Sequence, residues 1–219
     1  LAPRVYNKQP INQLLKGSIA MTQHSVRIIG GQFRRTPIPV IHSLDLRPTP
    51  NRIRETLFNW LNYFWGSDFS QKHVLDLFAG TGALGFEAVS RGAAFVQLVE
   101  HNPKAVQALR QFRNKLGLAH HVRIHHGDAM HVLERSTHHY DLVCLDPPFK
   151  QGWFERLWPV LPNVLAPNAL IYVEAEHALQ IPAQYHSLRQ QKAGHVHYQL
   201  LKFDALSKKD NNAVSSPLS

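Results

Sequence analysis

Between residues 73 and 176 short apolar runs alternate with stretches of helical period, and that alternation leaves few folds open. The runs at 73–79, 95–100, 122–129, 140–145 and 169–174 are each short enough for a strand, and all but the more polar 122–129 are rich in apolar residues. Between them the period predicts four helices. One runs from the glycines after residue 79 to about Arg91, and one starts at Pro103 and buries Val106, Leu109, Phe112 and Leu116 before Gly117. A short one covers 130–135, and the last covers 153–165 with a kink at Pro159. Strand and helix in strict turn give a parallel, doubly wound α/β sheet. Residues 188–203, with Gly194 in the middle, predict a closing antiparallel pair.

The length of 219 residues suits one such domain plus a small appendage, and 44% hydrophobic with 18% charged residues is ordinary globular composition. No apolar run approaches the roughly 20 residues that span a bilayer, and the start lacks a signal pattern, so the expected location is the cytoplasm. The single cysteine, Cys144, falls inside an apolar run and reads as a core residue. Fifteen histidines invite a metal reading, but His121 and His125 would stand about 13 Å apart on one strand, and no cysteines join them. No metal is expected.

Charge divides the chain. The net charge is +9, and residues 1–60 hold +7 of it. That concentration suits a polyanionic partner, with Arg27, Arg34, Arg35, Arg47, Arg52 and Arg54 as candidate contacts; the plainer alternative is a solvated basic face. Residues 1–25 read as a leader without clean periodicity, and residues 26–66 as a basic hairpin around Gly30-Gly31 followed by a helix over about 51–64. Thr49 or Asn51 would cap that helix, and Ile53, Leu57, Trp60, Leu61 and Phe64 would form its buried stripe. The main domain is expected over 67–204, with a polar tail over 205–219.

The residues that carry chemistry sit at the ends of the predicted strands. Gly80, Gly82 and Gly85 have the G-x-G-x-x-G spacing, which brings backbone close to a nucleotide-like ligand and serves nicotinamide enzymes equally well. Asp76 stands four residues ahead. Glu100 closes the second strand, where a carboxylate can accept both hydroxyls of a ribose. After Leu145 the chain reads Asp146-Pro147-Pro148-Phe149. Two prolines in succession remove two N–H donors, so the strand must stop there. What remains is a loop of acceptors and one ring, suited to an exocyclic amine and the face of a base.

Asp76-Leu77-Phe78-Ala79-Gly80-Thr81-Gly82 resembles motif I of class I S-adenosylmethionine-dependent methyltransferases, and Asp146-Pro147-Pro148-Phe149 resembles the (Asp/Asn)-Pro-Pro-aromatic motif of those that act on amino nitrogens. Together with Arg27-Ile28-Ile29-Gly30-Gly31, Leu46-Arg47-Pro48-Thr49-Pro50 and the 52–61 stretch, the chain is similar over about 26–203 to the RsmD family of bacterial 16S ribosomal RNA (guanine-N2)-methyltransferases. The resemblance implies a Rossmann-like class I domain with a seven-stranded, doubly wound sheet and a small N-terminal hairpin-helix extension. Its cofactor would be S-adenosyl-L-methionine, held by Asp76, Phe78, Ala79, Gly80, Thr81, Gly82, Glu100, Asp128 and Ala129, with Thr49 near the methionine end. Catalysis would fall to Asp146, Pro147, Pro148 and Phe149, and the partner would be 16S ribosomal RNA on the small ribosomal subunit, met by a monomer. Adenine-N6 methylation would use the same four residues. A scaffold that binds RNA without catalysis and a nicotinamide dehydrogenase are the other classes to be separated by experiment.

Overall fold

The computed structural model describes residues 26–41, 50–149 and 151–204. The expected leader and tail, and with them Arg47 and Thr49, lie outside these residues.

One sheet of seven strands runs in the order β3-β2-β1-β4-β5-β7-β6. β1 (His73–Asp76), β2 (Phe95–Glu100), β3 (Val122–His126), β4 (Tyr140–Leu145) and β5 (Leu165–Ala175) are mutually parallel. β7 (Val196–Phe203) runs antiparallel between β5 and β6 (Tyr185–Ala193). The doubly wound α/β expectation therefore holds, and Gly194 makes the last turn at a φ of 61°.

Alternation within each strand builds two cores. Val74, Val96, Leu98, Leu142, Cys144, Tyr172 and Leu200 face α1 (Asn51–Trp65), α2 (Ala83–Ser90) and α3 (Pro103–Lys115). Leu75, Val99, Val143, Leu145, Ile171 and Leu201 face α4 (Ala129–Arg135) and α5 (Trp153–Val160) on the other side. On α1, Leu57, Phe58 and Leu61 are fully enclosed; each contributes roughly 1.5–3 kcal/mol through burial.

Element ends differ from expectation where tertiary contacts decide them. β1 stops at Asp76 rather than 79, because Leu77 N–H already donates to Cys144 O and Ala79 N–H to Val99 O as the chain turns away. β3 stops at His126, since Asp128 is extended at the N-cap of α4. α5 gives way at Val160 to a 3-10 turn, Leu161–Val164, and β5 begins at Leu165 instead of 169. α1 begins without a side-chain cap: Pro50 occupies the N-cap position and Asn51 is its first residue. The Asn51 Oδ1 instead accepts from Arg54.

The expected hairpin at 26–40 forms as a single antiparallel bridge, Arg27 to Pro37, and not as a ladder. Its partners lie on α2. Glu87 is fully buried and accepts from Ile29 N at 2.6 Å, Gly30 N at 2.8 Å and Arg91 Nε at 2.7 Å. Ser90 Oγ accepts from Phe33 N and donates to Gly30 O, while Ser90 O takes Gln32 N–H. Gly31 cannot be another residue: its φ is +73°, and a Cβ there would lie 1.8 Å from Ser90 O.

Candidate active site

The parallel strands set the site. Strand order reverses between β1 and β4, and in sheets of this kind the crevice beyond the carboxyl ends at such a reversal receives ligands. The glycine loop leaves β1, and Asp146-Pro147-Pro148-Phe149 leaves the neighbouring β4, with Asp76 paired to Cys144 in register. The two loops singled out in the sequence are thus side by side.

Side-chain parity brings four carboxylates to one face. Asp76, Glu100, Asp146 and Glu174 each stand an even number of residues from a strand position that packs on the α1–α3 side. Each lies at the end of its strand or one residue from it. Their work differs. Asp76 is buried and accepts Gly85 N–H at 3.2 Å, which fixes the first turn of α2. Burial, with Glu100 and Glu174 nearby, pushes its carboxyl up to about 7 in spite of the Gly85 hydrogen bond. Glu100 is 6% exposed and accepts from Gly80 N at 2.9 Å and Asn102 N at 2.7 Å, which shapes the glycine loop and the entry to α3. Asn102, unremarked in the sequence, is the N-cap of that helix, with Pro103 first inside it as expected.

Gly80 and Gly82 hold φ of 50° and 75°, and Thr81 lies between them, 9% exposed. Gly82 also leaves no room for a side chain, with Phe86 and Leu109 atoms 2.7 Å from a hypothetical Cβ. A small cleft beside the loop is lined by Pro39, Ile41, Gly80, Thr81, Leu109 and Phe112, so the N-terminal segment forms part of its wall. The Phe78 ring turns to the other side of the sheet and meets Trp153 edge-on at 5.0 Å, tying the β1 loop to the helix after the Asp-Pro-Pro-Phe loop.

Asp128 caps α4, its Oδ1 accepting from Met130 N at 2.8 Å and His131 N at 3.2 Å. Oδ2 is the oxygen left to take an amine, and the Ala129 amide, at the first position of the helix, lacks an intrahelical acceptor. That pair can read an adenine edge. On β4, Asp146 is half-buried, Pro147 buried, Pro148 exposed and Phe149 37% exposed. Beneath them Tyr172 donates to Glu174 Oε1 at 2.8 Å, and burial with the charges of Glu174 and Asp146 drives the Tyr172 hydroxyl well above its usual range. Glu174 and Tyr172 were not singled out in the sequence; the available signal was an acid closing an apolar run, as Asp76 and Glu100 do.

Of the candidate RNA contacts, Arg27, Arg34, Arg35 and Arg52 are exposed. Arg54 is not a surface contact. It is fully buried, donates to Arg27 O at 2.8 Å and Asn51 Oδ1 at 2.6 Å, and approaches Ala83 O at 3.4 Å and Glu87 at 3.9 Å. Burial lowers its pKa while Glu87 raises it. It is a pin between α1, the N-terminal segment and the first residue of α2. Among the described residues no group of three or more histidine, cysteine or acidic side chains is placed to hold a metal, and no helix is long and apolar enough to cross a membrane.

Known proteins share this sequence pattern and fold. The family described as Conserved hypothetical protein 95 matches residues 26–202. Ribosomal RNA small subunit methyltransferase D of Escherichia coli strain K12 is 40% identical over 191 residues, covering 84% of this chain and 93% of its own. The solved structure of the Escherichia coli yhhF protein superposes with a TM-score of 0.73 at 40% identity, over 83% of this chain and 99% of that one. At 17% identity the fold recurs, with a TM-score of 0.55 over 73% of this chain and 95% of the other, in an RNA methyltransferase from Salinibacter ruber in complex with S-adenosyl-L-homocysteine. The chain belongs to the Conserved hypothetical protein 95 family, that of the ribosomal RNA small subunit methyltransferases D, and is an S-adenosylmethionine-dependent methyltransferase.

Proposed function

We propose that the chain methylates the exocyclic N2 amine of a guanine in 16S ribosomal RNA on the small ribosomal subunit, in the cytoplasm. The observation that carries this reading is the adjacency of the glycine loop on β1 and the Asp146-Pro147-Pro148-Phe149 loop on β4 at the strand-order reversal.

The donor set fits the cofactor: a carboxylate at Glu100 for ribose hydroxyls, Asp128 Oδ2 and the Ala129 amide for an adenine edge, and backbone at Gly80–Gly82 for close approach. Bound there, S-adenosylmethionine supplies an electrophilic sulfonium methyl. The chain's own residues must then make a poor nucleophile competent. The N2 lone pair of guanine is delocalised into the ring, and hydrogen bonds from the amine to the Asp146 carboxylate and the Pro147 carbonyl draw its hydrogens out of the ring plane. The nitrogen that takes the methyl would become positive, and the proton its new charge has made acidic would pass to solvent. Asp146 favours that charge as it develops. Phe149 offers its face to the flipped base and fixes the attack distance.

The test is to give the protein cofactor and small subunits from a strain lacking the activity, then identify the methylated nucleoside by mass spectrometry. N2-methylguanosine at one position is expected. N6-methyladenosine, or no product on subunits or naked 16S RNA, would overturn the assignment.

A further inference from the structure

Among the described residues two large hydrophobic side chains are exposed, Phe149 at 37% and Tyr63 at 73%. Phe149 already has a task in the proposed reaction. Tyr63 stands on the outer stripe of α1 with Arg52, Glu55 and Asn59, and its neighbours are not those of a ring left over from packing. The Arg189 guanidinium, projecting from β6, lies 5.2 Å from the Tyr63 ring centre and 5.1 Å from that of Phe64, while Tyr63 and Phe64 meet edge-to-face at 5.1 Å. Arg189 Nη1 is steadied by Leu188 O at 2.7 Å. No ion pair engages Arg189 among the described residues, so its charge is not spent on a carboxylate. Behind this layer Trp60 stacks on Tyr198 at 5.5 Å, and Tyr198 donates to Gln191, which makes the backing rigid. Lys192 and His195 are exposed at the end of the same hairpin.

We infer that Tyr63 and Arg189 form a stacking platform for an unpaired base of the substrate RNA, an RNA contact additional to the N-terminal arginines. The inference rests on the RNA substrate proposed above. A planar guanidinium held against an aromatic ring is the surface on which single-stranded bases stack, and Arg189 adds attraction for phosphate. Position supports it. Arg189 pairs with Leu200, Leu200 with Tyr172 and Tyr172 with Cys144, so the platform is level with the end of β4 and three strand spacings, about 14 Å, from it. It lies on the α1 side of the sheet, the side to which Asp146 and Glu174 also belong. A nucleotide flanking the target in a loop can therefore rest on Tyr63 while the target base lies against Phe149.

The experiment uses the full chain with Tyr63→Ala, Tyr63→Phe and Arg189→Ala, binding deproteinised 16S RNA across a salt series, with melting temperature and cofactor affinity alongside. Tyr63→Ala should lose about fivefold to a hundredfold in RNA affinity, the range measured for one stacked base, with the salt slope, melting and cofactor affinity unchanged. Tyr63→Phe should bind as wild type. Arg189→Ala should both weaken binding and flatten the slope. RNA affinity of Tyr63→Ala within twofold of wild type overturns the platform. So does a loss seen only on assembled subunits and not on naked RNA, because the contact would then be with protein. These readings come from binding and stand whether or not turnover is seen, whereas absence of methyl transfer by the wild type counts against the proposed function.

Discussion

At the scale of single residues the four acids at the strand ends divide between framework and chemistry, and only structure separates them. Asp146 is the one placed on the loop after β4, and in the proposed reaction its interaction with the amine matters chiefly as charge develops. Asp146→Ala should therefore fold, keep cofactor affinity, and lose at least a hundredfold in single-turnover rate. Near-normal single turnover would reduce the loop to a turn. Asp76 was legible as part of a motif but not as a buried acid, because its surroundings are supplied by Gly85, Glu100 and Glu174 from other elements. Its folded value of about 7 lies above the roughly 3.9 of an unfolded aspartate. Between those values the folded state holds a proton that the unfolded state has released, so the contribution of Asp76 to stability is fully present below its unfolded value and is lost as pH rises to about 7. Asn at this position keeps an acceptor for Gly85 without the titration. The wild type should lose a few kcal/mol relative to Asp76→Asn between about pH 5 and pH 8, read by denaturant unfolding of each protein at both values. A difference that does not change with pH would refute this account. Arg54 is the opposite lesson: its place beside Glu55 on a helix that packs on the core marks it as the arginine of the basic segment most open to a structural role, and it is buried, but its partners Glu87 and Ala83, about 30 residues away, are not legible locally.

At the scale of elements, what the sequence made legible is what periodicity and backbone chemistry decide locally. The order and type of the strands, Pro103 at the head of α3, the stop after Leu145 and the turn at Gly194 follow from residues within a few positions. The ends of β1 and β3, the start of β5, and the single-bridge hairpin do not, because hydrogen bonds to distant strands or helices set them. Helix α2 shows this best. Every residue of it is buried, so its apolar pattern gives no face, and the meaning of Glu87 and Ser90 appears only when residues 29–33 are seen docked on its far end. The other end of α2 follows the glycine loop, so one short helix holds the basic segment at its C-terminus and borders the glycine loop at its N-terminus. Gly31 is the sensitive point. Gly31→Ala would place a methyl on Ser90 O and force a residue other than glycine into positive φ, at a cost of about 1–3 kcal/mol or more. Amide exchange at Ile29, Gly30 and Gln32 should accelerate accordingly, and global unfolding should shift if the segment is part of the cooperative unit. Unchanged exchange at those three amides would mean that the docking is not as drawn.

For the whole molecule the question is how a net charge of +9 is put to use. Ribosomal RNA is a polyanion, and a protein that neutralises its phosphates releases counterions, so affinity falls with salt in proportion to the contacts made. The described part of the basic N-terminal stretch offers Arg27, Arg34, Arg35 and Arg52 at the surface, with Arg54 withdrawn into the interior. Arg34 and Arg35 sit at the turn beyond Gly31, where the chain is anchored by Phe33 N–H on Ser90 Oγ and by Arg35 N–H on Ile28 O. Their side chains can thus be removed without disturbing the anchor, and Arg35, at a φ of 70°, gives up nothing that the turn requires of its side chain. In Arg34→Ala/Arg35→Ala, RNA affinity should fall and the slope of log affinity on log salt should become shallower by about 0.7–0.9 for each arginine that meets a phosphate. Melting temperature and cofactor affinity should stay as in the wild type, since neither side chain reaches α2 or the glycine loop in any hydrogen bond. An unchanged slope would make the charge at this turn a solvated face and leave the grip on RNA to Arg27, Arg52 and the sheet edge. A shallower slope with intact melting would assign the turn to docking, and would explain why the chain fixes so basic a segment on the helix beside its glycine loop.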